Sequence, residues 1–380
     1  MPVVSAVPAA TGPEPAPSRP VLPALAGLRF YAAMHIVLLH TFRAGWLPDE
    51  VARLARWGGS TVSLFFILSG FILTWVYAAP DGGLRMPTGA FLRRRLLRLY
   101  PTAMLCHLLT VPLVWYAYGP VERWLRAAVT AAGVQAYWPP FADSFNTPGW
   151  SLSFLALGYL ALPPVLRWTA GWSPRRLVLA LAALWAAMLV PAAAYAIVRP
   201  ADPLWMLALF TFPPARLPEF LFGVMLARLL MARAWPPPPA WTAPVAAAVL
   251  AATLVLTPEA LFAMNHNGLW APLHGVLLWA LAAGRPGWMH RVLGGPASVR
   301  LGRASFAIYM VHVPLYAWAL RLAGDVASWT LLPSAAFYLG YLAAVVALGV
   351  ALDRALDRLI GRPLLAVPAA AVALPQPVAG

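Results

Sequence analysis

The stretch Val21–Phe42, VLPALAGLRFYAAMHIVLLHTF, decides how this chain is read. It is long and apolar enough to cross a bilayer as a helix, yet it carries Arg29 and His40. Their spacing makes three helical turns plus about 20°, so both project from one face, roughly 16 Å apart along the axis. Ionisable side chains at that depth are costly and usually face a bundle interior or a wet cavity. Two readings are open. The face can be a working one, with a permanent cation near one membrane surface and a titratable base near the other. Alternatively, Arg29 snorkels to the surface and His40 is a hydrogen-bonded helix-end residue. His35 lies about 140° around the helix from His40 and projects elsewhere.

The rest of the chain supports a membrane location. Of 380 residues, 62% are hydrophobic and only 10% charged, with a mean hydropathy of +0.73. Repeated apolar runs of about 20 residues predict an all-α, polytopic membrane helical bundle. Ten spans are expected, near 22–42, 60–79, 99–118, 150–166, 177–198, 216–232, 241–257, 268–284, 304–323 and 332–352. The apolar stretches 124–138 and 203–212 are read as interfacial or re-entrant pieces. Residues 1–20 and 366–380 are rich in Ala and Pro and read as tails flanking one membrane domain, 21–365. The single cysteine, Cys106, excludes an intramolecular disulfide and a cysteine-based metal site; no metal centre is expected.

All 27 cationic residues are arginines, and the formal net charge is +15. Their placement reads as topology, not as nucleic-acid binding. With the N-terminus in the cytoplasm, Arg43, Arg53, Arg56, Arg123, Arg126, Arg199, Arg216 and Arg321 fall outside, balanced by eight acids. The remaining nineteen arginines fall inside, against only Glu14, Asp81, Asp353 and Asp357. This positive-inside bias predicts both termini in the cytoplasm. Trp46, Trp57, Trp138, Trp150 and Trp205 sit near span ends, where interfacial aromatics belong. The arginine-only, Ala- and Pro-rich composition suggests a GC-rich bacterial genome, hence an inner-membrane location.

Several segments carry candidate chemistry. Leu64-Phe65-Phe66-Ile67-Leu68-Ser69-Gly70-Phe71 ends on small residues that permit close helix packing. In Phe91-Leu92-Arg93-Arg94-Arg95-Leu96-Leu97-Arg98-Leu99-Tyr100-Pro101, Arg95 and Arg98 share a face, which suits either a polyphosphate or anionic lipid. Trp150-Ser151-Leu152-Ser153 follows. Arg216-Leu217-Pro218-Glu219-Phe220 then places a carboxylate within ion-pairing reach of an arginine. Leu301-Gly302-Arg303-Ala304-Ser305 leads to Tyr309-Met310-Val311-His312, where His312 is intramembrane.

Taken in order over residues 22–365, these segments resemble acyltransferase family 3. The match begins at Ala26-Gly27-Leu28-Arg29 with His40 and runs through the Phe65–Phe71, Arg93–Pro101, Trp150-Ser151-Leu152, Arg216–Phe220 and Ser305–His312 segments. The resemblance implies a ten-helix core with the N-terminus inside. It implies transfer of an acyl group, most often acetyl, from cytoplasmic acyl-CoA to a hydroxyl. Acceptors in the family are commonly sugars of surface polysaccharides, glycolipids or secondary metabolites. It further implies that Arg29 and His40 are essential and that Arg95 and Arg98 contribute. Ser69, Trp150, Ser151, Glu219 and His312 stand on matching motifs. One position departs from the pattern: the family's glutamate three residues after Trp-Ser-Leu is Leu155 here, and Ala156 and Leu157 offer no substitute. Glu219 is the nearest replacement in kind.

On this reading His40 is the general base. Arg29, Arg95 and Arg98 hold the acyl-CoA donor, with no permanently bound cofactor. The expected partners are acyl-CoA, a carbohydrate or glycosylated acceptor, and membrane lipids. The competing classes are a non-enzymatic carrier or flippase component, which also needs intramembrane Arg, His and Glu, and an inactive homologue.

Overall fold

A computed structural model describes residues 19–41, 49–324 and 331–361. The described residues are helical apart from loops and one isolated bridge between Ala78 and Leu84. The helices are α1 (Pro23–Thr41), α2 (Asp49–Arg56), α3 (Gly59–Tyr77), α4 (Thr88–Val114), α5 (Pro120–Ala131), α6 (Trp150–Trp168), α7 (Pro174–Val198) and α8 (Leu204–Thr211). They continue as α9 (Pro213–Met231), α10 (Thr242–Leu256), α11 (Phe262–His266), α12 (Ala271–Ala283), α13 (Trp288–Gly294), α14 (Pro296–Arg303), α15 (Ser305–Ala323) and α16 (Leu331–Leu356).

Each of the ten expected spans falls on a helix, but the helices are not equivalent. Seven are long and apolar enough to cross a bilayer: α1, α3, α4, α6, α7, α15 and α16, counting short continuations at three of their ends. An eighth candidate is α10 with the segment Glu259–His266, bent by 111° where Thr257-Pro258 interrupts the helix. α12 has only 13 residues, and α9 carries Arg216, Glu219 and Arg228. The stretches 124–138 and 203–212 contribute only the short helices α5 and α8. The expected tail 366–380 and residues 1–18 of the N-terminal tail lie outside the described residues, as do Arg43 and Trp46.

The expected span 99–118 is instead the 27-residue α4, which starts at Thr88. Arginine and leucine are good helix formers, so the block Arg93–Arg98 continues the helix past the membrane. At 1.5 Å per residue it is about 40 Å long, some 10 Å more than a hydrocarbon core. The prolines inside α4, α6, α7, α9 and α15 are tolerated as in other membrane helices, whose neighbours re-satisfy freed backbone groups.

α3 is the most buried span, and α7 and α16 are the least buried. α3 and α9 pack closely because each presents a glycine: the Phe220 carbonyl lies where a Gly70 side chain would be, and the Ile67 carbonyl where a Gly223 side chain would be. The exposed apolar residues of the outer helices, such as Val190 and Leu339, suit contact with lipid.

The ends of the bundle are fastened differently. At one end, Arg98 pairs with Asp353 at 3.4 Å and Asp357 at 3.9 Å, joining α4 to the end of α16. There too Arg19 stacks over Trp75 and donates to its carbonyl at 2.6 Å, tying the approach to α1 to α3. At the other end, Arg53 donates to the Thr257 carbonyl at 2.9 Å. Two sequence readings need correction there. Arg216 is not a surface charge; it is 2% exposed and paired with Glu219 at 3.1 Å. Trp57 is not an interfacial anchor but is buried, because Phe262 and His266 of α11 pack against its ring. Trp138 and Trp205 are exposed as expected.

Candidate active site

α1 carries its two ionisable groups to two different places. Arg29 borders a cavity of about 80 Å³ at the arginine-rich end, lined also by Arg95, Arg98, Arg303, Ser69, Tyr159 and Asp353. The three-residue spacing of Arg95 and Arg98 does put both on this cavity. Arg95 lies over the Tyr77 ring, 4.6 Å from its centroid, and donates to the Tyr77 hydroxyl. Arg98 is engaged by Asp353 and Asp357. Arg29 makes no hydrogen bond or ion pair among the described residues. Asp353 opposes its charge from across the cavity without contacting it, and a cation at this depth with its donors unused suits an anion.

The cavity shares Arg29, Phe65, Ser69 and Tyr159 with a second space of about 70 Å³. Its walls are apolar, including Ile36, Phe66 and Leu155, with Ser151, Ser305 and Tyr309 contributing hydroxyls. It reaches Ile36 and Tyr309, each about one helical turn before the histidines that follow them, His40 and His312.

His40 stands exposed near the far end of α1 and meets His312, which is fully buried. His40 Nδ1 and His312 Nε2 are 3.0 Å apart, and the rings are 5.0 Å apart between centroids. On its other side, His312 Nδ1 is 2.5 Å from the Tyr309 carbonyl oxygen. A carbonyl only accepts, so His312 Nδ1 carries the hydrogen. In the neutral ring Nε2 is then an acceptor. His40 Nδ1 must therefore donate to it, which leaves the lone pair of His40 on Nε2. The surroundings hold α15 in place. Tyr341 donates to the His312 carbonyl at 3.0 Å, Asn146 to the Met310 carbonyl at 3.0 Å, and Tyr309 to the Pro148 carbonyl at 3.2 Å.

The other predicted residues divide. Ser69 lines both spaces, with its hydroxyl donated to the Phe65 carbonyl at 2.8 Å. Ser151 lines the apolar space and donates to the Pro148 carbonyl at 2.8 Å. Trp150 packs edge-on to Phe66 at 5.6 Å and is not part of either wall. Glu219 is buried, accepts from Ser63 at 2.7 Å and pairs with Arg216, whose guanidinium lies over Phe66 at 5.4 Å. It is thus behind the cavity wall and already committed, and it does not stand in for the acid missing at Leu155. Leu155 itself is a wall residue. Arg303, Tyr159, Ser305 and Tyr309 were not singled out as site residues. Three of them stand in motifs quoted above, but only helix packing shows that they face the cavity.

Comparison with known proteins bears on the family of the chain. A family described as an Acyltransferase domain matches residues 22–354. The chain is 29% identical over 364 residues to a protein of Streptomyces mycarofaciens described as Acyltransferase MdmB, an alignment that spans 86% of this chain and 88% of the relative. No solved structure matches the chain.

Proposed function

The chain belongs to this acyltransferase family, and on that premise we propose that it moves an acyl group, acetyl by expectation, from acyl-CoA to a hydroxyl of a sugar in a surface glycan, glycolipid or secondary metabolite. The observation that carries the proposal is the unpaired Arg29 at an arginine-walled mouth, with His40 at the far end of the same helix and an apolar passage leading toward it. CoA is polyanionic at its nucleotide end and slender at its thioester end. The mouth suits the first and the apolar space the second. The nucleotide then stays on the cytoplasmic face of the inner membrane, and the acceptor approaches from the other face.

In this mechanism His40 Nε2 takes the proton of the acceptor hydroxyl as its oxygen bonds to the thioester carbonyl carbon. The carbon–sulfur bond then breaks, and CoA leaves as a thiolate that recovers the proton from the imidazolium. His312 holds His40 in the tautomer with Nε2 free, a positioning role in which imidazole replaces the usual carboxylate. General-base assistance of this kind is worth about 10² to 10⁴ in rate.

The test is release of free CoA by the purified protein with acetyl-CoA and a glycan acceptor. The expected result is acceptor-dependent release, and about a 10² to 10⁴-fold drop in His40→Gln, which keeps a hydrogen-bonding side chain but has no basic nitrogen. Substantial transfer by His40→Gln would overturn the assignment of the base. Substrate movement without CoA release would identify a carrier.

A further inference from the structure

α14 stops at Arg303 and α15 starts at Ser305, with only Ala304 between them. A continuous helix would use every N–H group in this stretch. The break gives α15 an N-terminus of its own, whose first N–H groups have no partner within the helix and carry the positive end of a 19-residue dipole. That terminus lies on the cavity: Arg303 and Ala307 border the arginine-walled mouth, Ser305 borders the apolar space, and Phe306 borders both.

A second observation is independent of the helix end. The Ser305 hydroxyl is fully buried and has no hydrogen-bond partner. Serine within a helix commonly satisfies its hydroxyl on a carbonyl one turn back, and the serines Ser69 and Ser151 on the same walls do find carbonyls. A buried hydroxyl left alone is costly, and Ser305 and Arg29 both border the apolar space. An O–H donor, free N–H groups and fork-shaped cations together match a phosphate.

We infer that Ser305, the N-terminus of α15, Arg29 and Arg303 form a phosphate site. On the acyl-CoA reading above, on which this rests, it takes the phosphoester nearest the pantetheine arm. The position argues for that group. The site lies where the charged mouth meets the apolar space, so an arm leaving this phosphate enters the passage toward His40, while the outer phosphates remain near Arg95 and Arg98. An anionic lipid headgroup offers the same chemistry, and the experiment separates the two.

The full chain is placed in nanodiscs of zwitterionic lipid. CoA binding is measured by calorimetry, and steady-state kinetics are measured with acetyl-CoA and with acetyl-pantetheine, which lacks phosphate. Ser305→Ala is expected to raise the Kd of CoA and the KM of acetyl-CoA about tenfold, with kcat retained and the KM of acetyl-pantetheine unchanged. Ser305→Thr keeps the hydroxyl and is expected to stay near wild type. Unchanged CoA affinity in Ser305→Ala overturns the inference. So does an equal loss with acetyl-pantetheine, which would mean that the hydroxyl serves the arm or the fold. Weakening of CoA binding by added phosphatidylglycerol in wild type but not in Ser305→Ala assigns the site to lipid and overturns the donor assignment. If the wild-type protein itself neither binds nor releases CoA, the acyl-CoA reading fails and this inference falls with it.

Discussion

His35 and His40 are five residues apart on α1, yet their surroundings give them opposite roles. His35 Nε2 donates to the Leu54 carbonyl at 2.7 Å, and its Nδ1 accepts from the Thr61 hydroxyl at 2.6 Å, so both nitrogens are used in joining α1 to α2 and α3. His40 turns one nitrogen, Nδ1, to His312 and to the Ile36 carbonyl of its own helix, and keeps the other. His35→Ala is therefore expected to lower the melting temperature while kcat per folded molecule stays within a few-fold of wild type. His312→Phe fills the space but removes the ring acceptor, leaving His40 only the Ile36 carbonyl of its own helix. The expected result is kcat lower by one to two orders of magnitude with KM for the donor nearly unchanged, and partial recovery in His312→Gln, whose amide oxygen can accept from Nδ1. Equal loss of kcat and of thermal stability in both His312 variants would reduce this histidine to a packing residue. Leu155, where the family resemblance implies a carboxylate, lines the apolar space.

At the scale of elements, the decisive contact is the crossing of α3 and α9. Gly70 and Gly223 each receive a backbone carbonyl of the other helix, so the helices meet at backbone distance and align Phe65, Phe66 and Ser69 along the cavity. Gly70→Leu would force the pair apart, an overpacking cost of about 1–3 kcal/mol or more. A lower melting temperature in detergent and loss of acyl transfer are expected. Gly340 on α16 is the control: nothing lies within 4 Å of where its side chain would be, so Gly340→Leu should be neutral. Equal tolerance of the two substitutions would show that the glycine crossing does not set the spacing.

For the whole molecule, the arginines predict which end of the bundle faces the cytoplasm. Arg98, Arg303 and the carboxylates of α16 gather at one end, and the histidine pair lies toward the other. A reporter fused near residue 5 and another near residue 375 are both expected to report the cytoplasm, since the excess of positive charge lies on that side. A reporter signal from outside the cell at either terminus would invert the assignment of donor and acceptor faces.

The membrane class, the positions of ten helices and the one-face relation of Arg29 to His40 were legible in the sequence. Each depends on composition or on a fixed helical period, which local residues determine. The arginine spacing in α4 likewise foretold that Arg95 and Arg98 share one face, and both line the same cavity. What the sequence did not determine is which groups meet across helices. His40 and His312 are 272 positions apart and come together at 3.0 Å only because α1 and α15 pack side by side. Glu219, the apparent substitute for the missing acid, is removed from that role by Arg216 and Ser63, partners supplied by its own helix and by α3. The tautomer of His40 and the isolation of the Ser305 hydroxyl are likewise properties of packing, since each is decided by atoms that approach from distant parts of the chain.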